Sequence, residues 1–369
     1  MVRPREAACR GDEDPMRKHL PLLTLYVVAA LAGVLFSRVG TPLPWMIGPL
    51  VITGALSASG LVTVAVPIRT RPIGQVTIAT FVGAHFTPDA LHSLLQTAPM
   101  LLTVSLFILV AAILVAQIQR RVYGTSTVTA LLSVTPTSPV EAGVLAEHMG
   151  VNPGPVVLAQ TARIALVVTV VPFLLQLGAP PGAAPLAPVL HHGSLPGLAV
   201  TLGGALLGPV LFRLLRFSNP FFLGPLFLAA LFSSVGLPSY EIPGPLLAVA
   251  QIVLGTWLGS SFRRELLEQR GALIGSVLLS SSLLLGACVL GAWGLSALFG
   301  APFPTVMLGI APGGVTEMAL TAGVLGQDVA LVTAMHLTRI FVIMPNLGWI
   351  ARVTHRLEGA RRGRPEPGE

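Results

Sequence analysis

Long apolar runs, interrupted at intervals by arginine, proline and glycine, dominate this chain from about residue 20 to residue 353. A membrane-crossing helix needs about 20 consecutive, mostly apolar residues. The segments 20–39, 94–118, 155–177 and 329–353 reach or approach that length. They do not alternate apolar and polar positions as the strands of a transmembrane barrel do. The pattern therefore predicts an all-α fold, a polytopic transmembrane helical bundle.

The runs recur at a fixed offset. Pro44-Trp45-Met46-Ile47-Gly48-Pro49-Leu50 returns 176 positions later as Pro220-Phe221-Phe222-Leu223-Gly224-Pro225-Leu226. At the same spacing Gln75, Thr80, Gly83 and Phe86 match Gln251, Thr256, Gly259 and Phe262. Pro136, Glu141, Ala146, Gly150 and Arg163 likewise match Pro312, Glu317, Ala322, Gly326 and Arg339. With 39 Gly and 32 Pro in the chain, matches of those two types arise by chance, so the Gln, Glu and Arg matches carry the weight. Internal duplication is the reading.

Each copy reads as five apolar spans and one interrupted segment. In the first copy the spans are roughly 20–39, 44–59, 72–87, 93–118 and 154–177, with the interrupted piece at 126–149. The division expected is a polar leader (1–19), a first membrane repeat (20–177), a Pro/Ala/Gly-rich linker (178–193), a second membrane repeat (194–353) and a basic tail (354–369). The leader precedes an apolar stretch with no small-residue cleavage site, which predicts an uncleaved first helix.

Arginine placement orients the copies. Cytoplasmic loops carry the excess of Lys and Arg. With a cytoplasmic N-terminus and an interrupted segment that enters and leaves on one side, Arg69, Arg71, Arg120, Arg121, Arg213, Arg216, Arg263, Arg264 and Arg270 all fall inside. If that segment crosses fully, the last five move outside. The rule favours inverted repeats, ten crossings with two re-entrant hairpins, both termini cytoplasmic and the chain in the inner membrane. Inverted repeats with Gly/Pro-broken segments at matching positions are a recurring design of secondary transporters.

Composition agrees: 53% of residues are hydrophobic and 10% charged, and the mean hydropathy is +0.81. The net charge of +7 does not indicate nucleic acid, because the cations sit in short loops and in a short arginine-rich tail (Arg361, Arg362, Arg364). Direct DNA binding would need a soluble basic module. Cys9 and Cys288 make no disulfide framework. The eight His lack ligand spacing, so no metal site and no cofactor is expected. His191 and His192, in the linker, have no further ligands beside them.

The interrupted segments hold the candidate chemistry. They read Ser133-Val134-Thr135-Pro136-Thr137-Ser138-Pro139-Val140-Glu141 and Gly309-Ile310-Ala311-Pro312-Gly313-Gly314-Val315-Thr316-Glu317. Proline lacks an N–H and glycine tolerates positive φ, so both stretches should break their helices. Freed backbone at membrane depth survives only against protein or a water-filled cavity. Glu141 and Glu317 follow each tip. Either they complement a helix N-terminus or they form a proton or cation site. Arg163 and Arg339 come 22 positions after each acid. A buried arginine needs a partner, which leaves a Glu–Arg brace within each copy or an anion site.

Gln160 and His336 precede the arginines by three residues and share their helix faces. The candidate site is thus Glu141, Arg163, Glu317, Arg339, Gln160 and His336, with Thr137, Ser138, Gly313 and Gly314 at the tips. Gly48-Pro49 and Gly224-Pro225 predict a kink or close helix packing. Gln75 and Gln251 fit interhelical hydrogen bonds, and His85 and His148 are isolated.

At Leu-Pro-Trp-Met-Ile-Gly-Pro-Leu (43–50), Gly-Ala-His-Phe (83–86), Gly-Ser-Ser-Phe (259–262) and Ala-Pro-Gly-Gly-Val-Thr-Glu-Met (311–318), the chain resembles the AbrB family of duplicated membrane proteins. The resemblance runs from about residue 20 to 353. In the first copy Thr137-Ser138-Pro139 replaces Gly-Gly-Val. Family members are commonly labelled regulators of gene expression or ammonia monooxygenases. A monooxygenase would need a metal cluster, and no enzyme activity is expected. The expected function is secondary transport of a small solute, an anion being the class a guanidinium would take, coupled to protons or sodium. The alternative is a membrane sensor or regulatory protein acting indirectly on gene expression.

Overall fold

The computed structural model describes residues 15–62, 66–178, 195–217, 219–262 and 271–362. The linker (178–193) lies almost wholly outside the described residues, as do Cys9, His191, His192, Arg263, Arg264, Arg270 and Arg364. Among the described residues there are fifteen α-helices and no strand. In chain order they are α1 (Pro15–Arg38), α2 (Pro44–Ala58), α3 (Arg71–Gly83), α4 (Pro88–Gln96), α5 (Ala98–Tyr123), α6 (Thr127–Val134), α7 (Pro139–His148) and α8 (Pro153–Leu177). Then follow α9 (Leu195–Leu214), α10 (Pro220–Ser234), α11 (Gly244–Gly259), α12 (Gly271–Phe299), α13 (Phe303–Ile310), α14 (Val315–Val324) and α15 (Val329–Arg362).

The start signals are local. Proline opens α2, α7, α8 and α10 at a position where its missing N–H is not needed. The Asn152 side chain accepts from Gly154 N at 2.9 Å to cap α8. One helix the span pattern hid is α4: Thr87 caps it at Ala90 N (3.3 Å), and none of its residues is buried. It delays the following span, so α5 begins at Ala98 rather than 93.

Five helices are long and apolar enough to cross a membrane: α5, α8, α9, α12 and the Val329–Ile350 part of α15. The remaining expected spans are shorter. Helices α2, α3, α10 and α11 have 13 to 16 residues, about 20–24 Å at the usual rise. Apolar side chains cover the outside of the long helices. Leu102, Leu106 and Leu114 on α5 are 58–60% exposed, and Leu206 and Leu207 on α9 are 62–70% exposed. Water would not tolerate so much exposed apolar surface; lipid does.

The helices sort into two groups. Helices α1–α3 pack mainly on α9–α11, whereas α5–α8 pack mainly on α12–α15, and few contacts cross between the groups. In the first group small residues set the spacing, as expected where lipid removes any hydrophobic drive between helices. A Cβ on Gly83 would collide with the Leu226 carbonyl, and one on Gly259 with the Leu50 carbonyl. Gly48 meets the Ala32 backbone and Gly224 the Gly208 backbone. Close packing, rather than a kink alone, is what these Gly-Pro pairs provide. Met46 faces Gly255 and Leu50 faces Gly259, so α2 and α11 run in the same direction. In the second group Gln119 donates to Ser276 Oγ at 2.6 Å and Phe107 packs on Gly291, which makes α5 and α12 antiparallel.

Both interrupted segments break where the prolines stand. Thr135 is extended (φ −62°, ψ 125°) before Pro136, and Ala311 is extended (φ −52°, ψ 136°) before Pro312. The glycines play a different part from the one expected. Neither Gly313 nor Gly314 has positive φ. Gly314 leaves room for the Glu317 carboxylate, whose oxygen lies where a Cβ would stand. The second segment doubles back, since Thr305 Oγ1 at its start donates to Gln327 Oε1 beyond its end at 3.0 Å.

Candidate functional site

The two tips meet at the seam between the helix groups. Pro136, Thr137, Ser138 and Glu141 of the first tip and Gly313, Gly314, Thr316 and Glu317 of the second line one cavity of about 130 Å³. Arg339 closes it from α15, and Arg71, Asn219, Phe222 and Trp257 wall the opposite side from the other helix group. The cavity continues into a vestibule of about 910 Å³, with Arg71, Ser138, Glu141 and Asn219 lining both. The vestibule lies where α3 and α10 begin and α7 ends, beside Arg69, Pro72, His148 and Pro220.

The arginines do not brace the glutamates. Arg163 sends Nε–H to the Pro312 carbonyl (3.0 Å) and Nη1 to the carbonyls of Ser133 (3.2 Å) and Val134 (2.8 Å), while Nη2 binds Gln160 Oε1. Gln160 in turn donates to Leu132 O and, at 2.8 Å, to Thr135 O. These carbonyls are the groups that the helix break leaves without N–H partners. A cation takes this place because charge-assisted bonds to several carbonyls offset its burial.

Arg339 repeats the arrangement incompletely. Its Nη1 donates to Ala311 O at 2.9 Å and Nη2 to Gly313 O at 3.1 Å. Nη2 also meets His336 Nδ1 at 2.9 Å, and His336 Nε2 meets Leu308 O at 2.9 Å. Arginine only donates, so His336 accepts at Nδ1 and carries its proton on Nε2. The Nε of Arg339 is buried with no hydrogen-bond partner, whereas the same atom of Arg163 is bonded. Both side chains are almost wholly buried, 2% and 3% exposed.

The candidates therefore divide. Glu141, Glu317, Thr137, Ser138, Gly313, Gly314 and Arg339 line the cavity. Arg163, Gln160 and His336 are buried behind the tips and hold them. Gln251 is buried apart from the cavity, and Gln75 lines the vestibule. Sequence reasoning missed Arg71, read there as a loop cation alone. Its guanidinium lies 4.5 Å from the Trp257 ring centroid, and Arg71 lines the cavity with Glu317. With its amide oxygen turned inward, Gln75 accepts from Arg71 Nε and Nη2 at 3.3 Å. The available signal was the four-residue spacing from Arg71 to Gln75, one helical turn along the same face. No group of three or more His, Cys, Asp or Glu able to hold a metal exists among the described residues.

Comparison with known proteins agrees on one family. A family model described as "Transition state regulatory protein AbrB" matches residues 4–136 and 63–355. The chain is 26% identical over 330 residues to "Putative regulator AbrB" of Escherichia coli (strain K12), covering 89% of this chain and 94% of that protein. It is 24% identical to "Uncharacterized protein YhjN" of Bacillus subtilis (strain 168), over 92% of this chain and 94% of that one. Motifs, helical architecture and these matches lead to the same place: this chain belongs to the AbrB family.

Proposed function

We propose that this protein is a secondary transporter of a small anionic solute, resident in the inner membrane with both termini in the cytoplasm, and carries out no reaction of its own. Its working unit is a pair of inverted copies, and the vestibule faces the cytoplasm. The observation that carries the reading is the cavity at the seam, walled by both broken segments on one side and by the other helix group on the opposite side. Two helix groups with few contacts between them can rock or slide about a site held between them. Two half-helices, α7 and α14, begin at the cavity with their positive ends, and Arg71 and Arg339 add full charges.

Packing supports the inverted copies. The close contacts Gly83–Leu226 and Gly259–Leu50 are exchanged by the 176-residue offset, as are Gly48–Ala32 and Gly224–Gly208. Arg71 at the start of α3 lies over Trp257 near the end of α11, while Gly74, further along α3, meets Ala250 and Leu254 earlier on α11, so α3 runs against α11. The counterpart of α3 is α11, which runs with α2. A counterpart that has reversed direction supports inversion.

Purified protein in proteoliposomes should exchange a small anion such as nitrate or lactate, and Arg339→Ala should abolish the flux while the protein still inserts. Unchanged flux in Arg339→Ala would contradict the anion site. The regulatory reading is favoured by the printed names of the family model and of the Escherichia coli relative. A transport-dead Arg339→Ala strain separates the two: if its transcripts match the wild type while a deletion strain's do not, regulation does not run through transport.

A further inference from the structure

Four charged side chains line the inner cavity, Arg71, Arg339, Glu141 and Glu317, and the two helix starts add partial positive charge. With both acids ionised, the side-chain charges cancel. An anion entering this space then confronts Glu317 in a water-poor cavity, where an unscreened like charge is strongly unfavourable. The site accommodates the anion once that carboxylate takes a proton.

The arginines make the complementary half. Arg339 keeps an unpartnered, buried Nε, although its two Nη atoms are held on Ala311, Gly313 and His336. Arg71 faces it from the other helix group, oriented by the Trp257 ring and by Gln75. The cavity's 130 Å³ is several times the space one water needs, which suits a small ligand.

We propose that Arg71 and Arg339 together bind one small monoanion, a carboxylate or oxyanion, across the seam, and that Glu317 takes up one proton with it. Transport is then anion–proton symport with a stoichiometry set by the site. The proton goes onto a Glu317 carboxylate oxygen when the anion arrives and leaves from it when the anion departs. The charged side chains that line the cavity with Glu317 are Arg71 on α3, Arg339 on α15 and Glu141 on α7, and His336 and Arg163 are buried behind the tips. Helices α10 and α11 present Asn219 before the first and Trp257 on the second, neither of which titrates. The proposal rests on the transport site described above and adds the ligand class, the second cation and the coupled proton.

The test is binding, which does not depend on flux. Purified protein in detergent is titrated with sodium nitrate or lactate against a sodium gluconate background, and its thermal midpoint is followed between pH 5 and 8. The midpoint should rise with anion concentration. The apparent Kd should weaken about tenfold per pH unit on the alkaline side, where Glu317 must be protonated before binding. Glu317→Gln should bind with no pH dependence. Arg71→Gln should weaken binding at least tenfold, while Arg71→Lys, which keeps the charge, stays within a few fold.

A pH dependence that survives Glu317→Gln, an Arg71→Gln protein that binds normally, or a wild-type protein that neither anion stabilises at about 50 mM would each overturn the proposal. Proton-independent binding accompanied by flux would leave transport standing without this coupling. Coupled binding without flux in proteoliposomes would remove the transporter and keep the site.

Discussion

The two broken segments are built alike and used differently. In the first, Arg163 is fully engaged, down to an Nε bond that reaches across to the Pro312 carbonyl of the second tip. In the second, Arg339 holds its own tip but keeps a buried Nε without a partner. The half-helices differ in the same way. On α7, Val140 and Val144 are 50% and 48% exposed, whereas their counterparts on α14, Thr316 and Leu320, are 8% and 1% exposed. Helix α7 is open to the vestibule and α14 is packed away. In the proposed transporter, the two segments would trade environments when the cavity opens on the other face.

The strongest challenge to that contrast is to remove the arginines one at a time. Arg163→Ala orphans carbonyls in both tips and should destabilise the protein by about 3–5 kcal/mol, as removal of a buried charged partner does. Thermal unfolding in detergent should show a lower midpoint than for Arg339→Ala, which loses fewer bonds and relieves an unpaired Nε. Equal or reversed losses would mean that the two arginines are equivalent.

Copying the first tip into the second sharpens the comparison further. Ser138 occupies the position that matches Gly314, and Gly314→Ser brings a Cβ into the space of the Glu317 carboxylate. The carboxylate can swing aside, so the stability cost should stay near the low end of overpacking, about 1 kcal/mol, while displacing Glu317 should weaken anion binding. An unaltered melting midpoint and affinity would show that the glycine's missing side chain does not matter.

The smallest effect is expected from His336→Gln, which gives the second copy the first copy's residue. Gln160 already bonds an arginine and two carbonyls, so glutamine can serve the same partners. The loss should stay under about 1.5 kcal/mol, the usual range for a volume-conserving replacement. Measuring its midpoint beside that of His336→Leu, which cannot accept from Arg339, separates the hydrogen bond from the packing.

Much of this arrangement was legible in sequence. Apolar run length marked the long spans, and the prolines at 136 and 312 marked the breaks within a residue of where Thr135 and Ala311 leave the helix. The same offset identified Arg163 and Arg339 as a pair. The partners of those arginines were not legible, because a carbonyl has no sequence signature and any residue can supply one. A glutamate nearby in sequence suggested an ion pair, and the backbone took its place. Arg71 was hidden for a related reason. At the 176-residue offset it meets Leu247, so a search for repeated polar residues passes over the cation that closes the cavity from the other side. Helix α4 escaped because its amphipathic turn is short and merges with the apolar run after it.

Alternating exposure of the two copies can be measured directly by cysteine accessibility. In a background with Cys9 and Cys288 replaced, Val144→Cys on the vestibule side and Thr321→Cys, at a position that is now fully buried, are probed with a membrane-impermeant maleimide applied to either face. The account predicts that Val144→Cys reacts from the vestibule face, and that Thr321→Cys becomes reactive from the opposite face when the protein turns over with its anion. A Thr321→Cys protein that stays unreactive under all conditions, or reacts only from the vestibule face, would contradict alternating access.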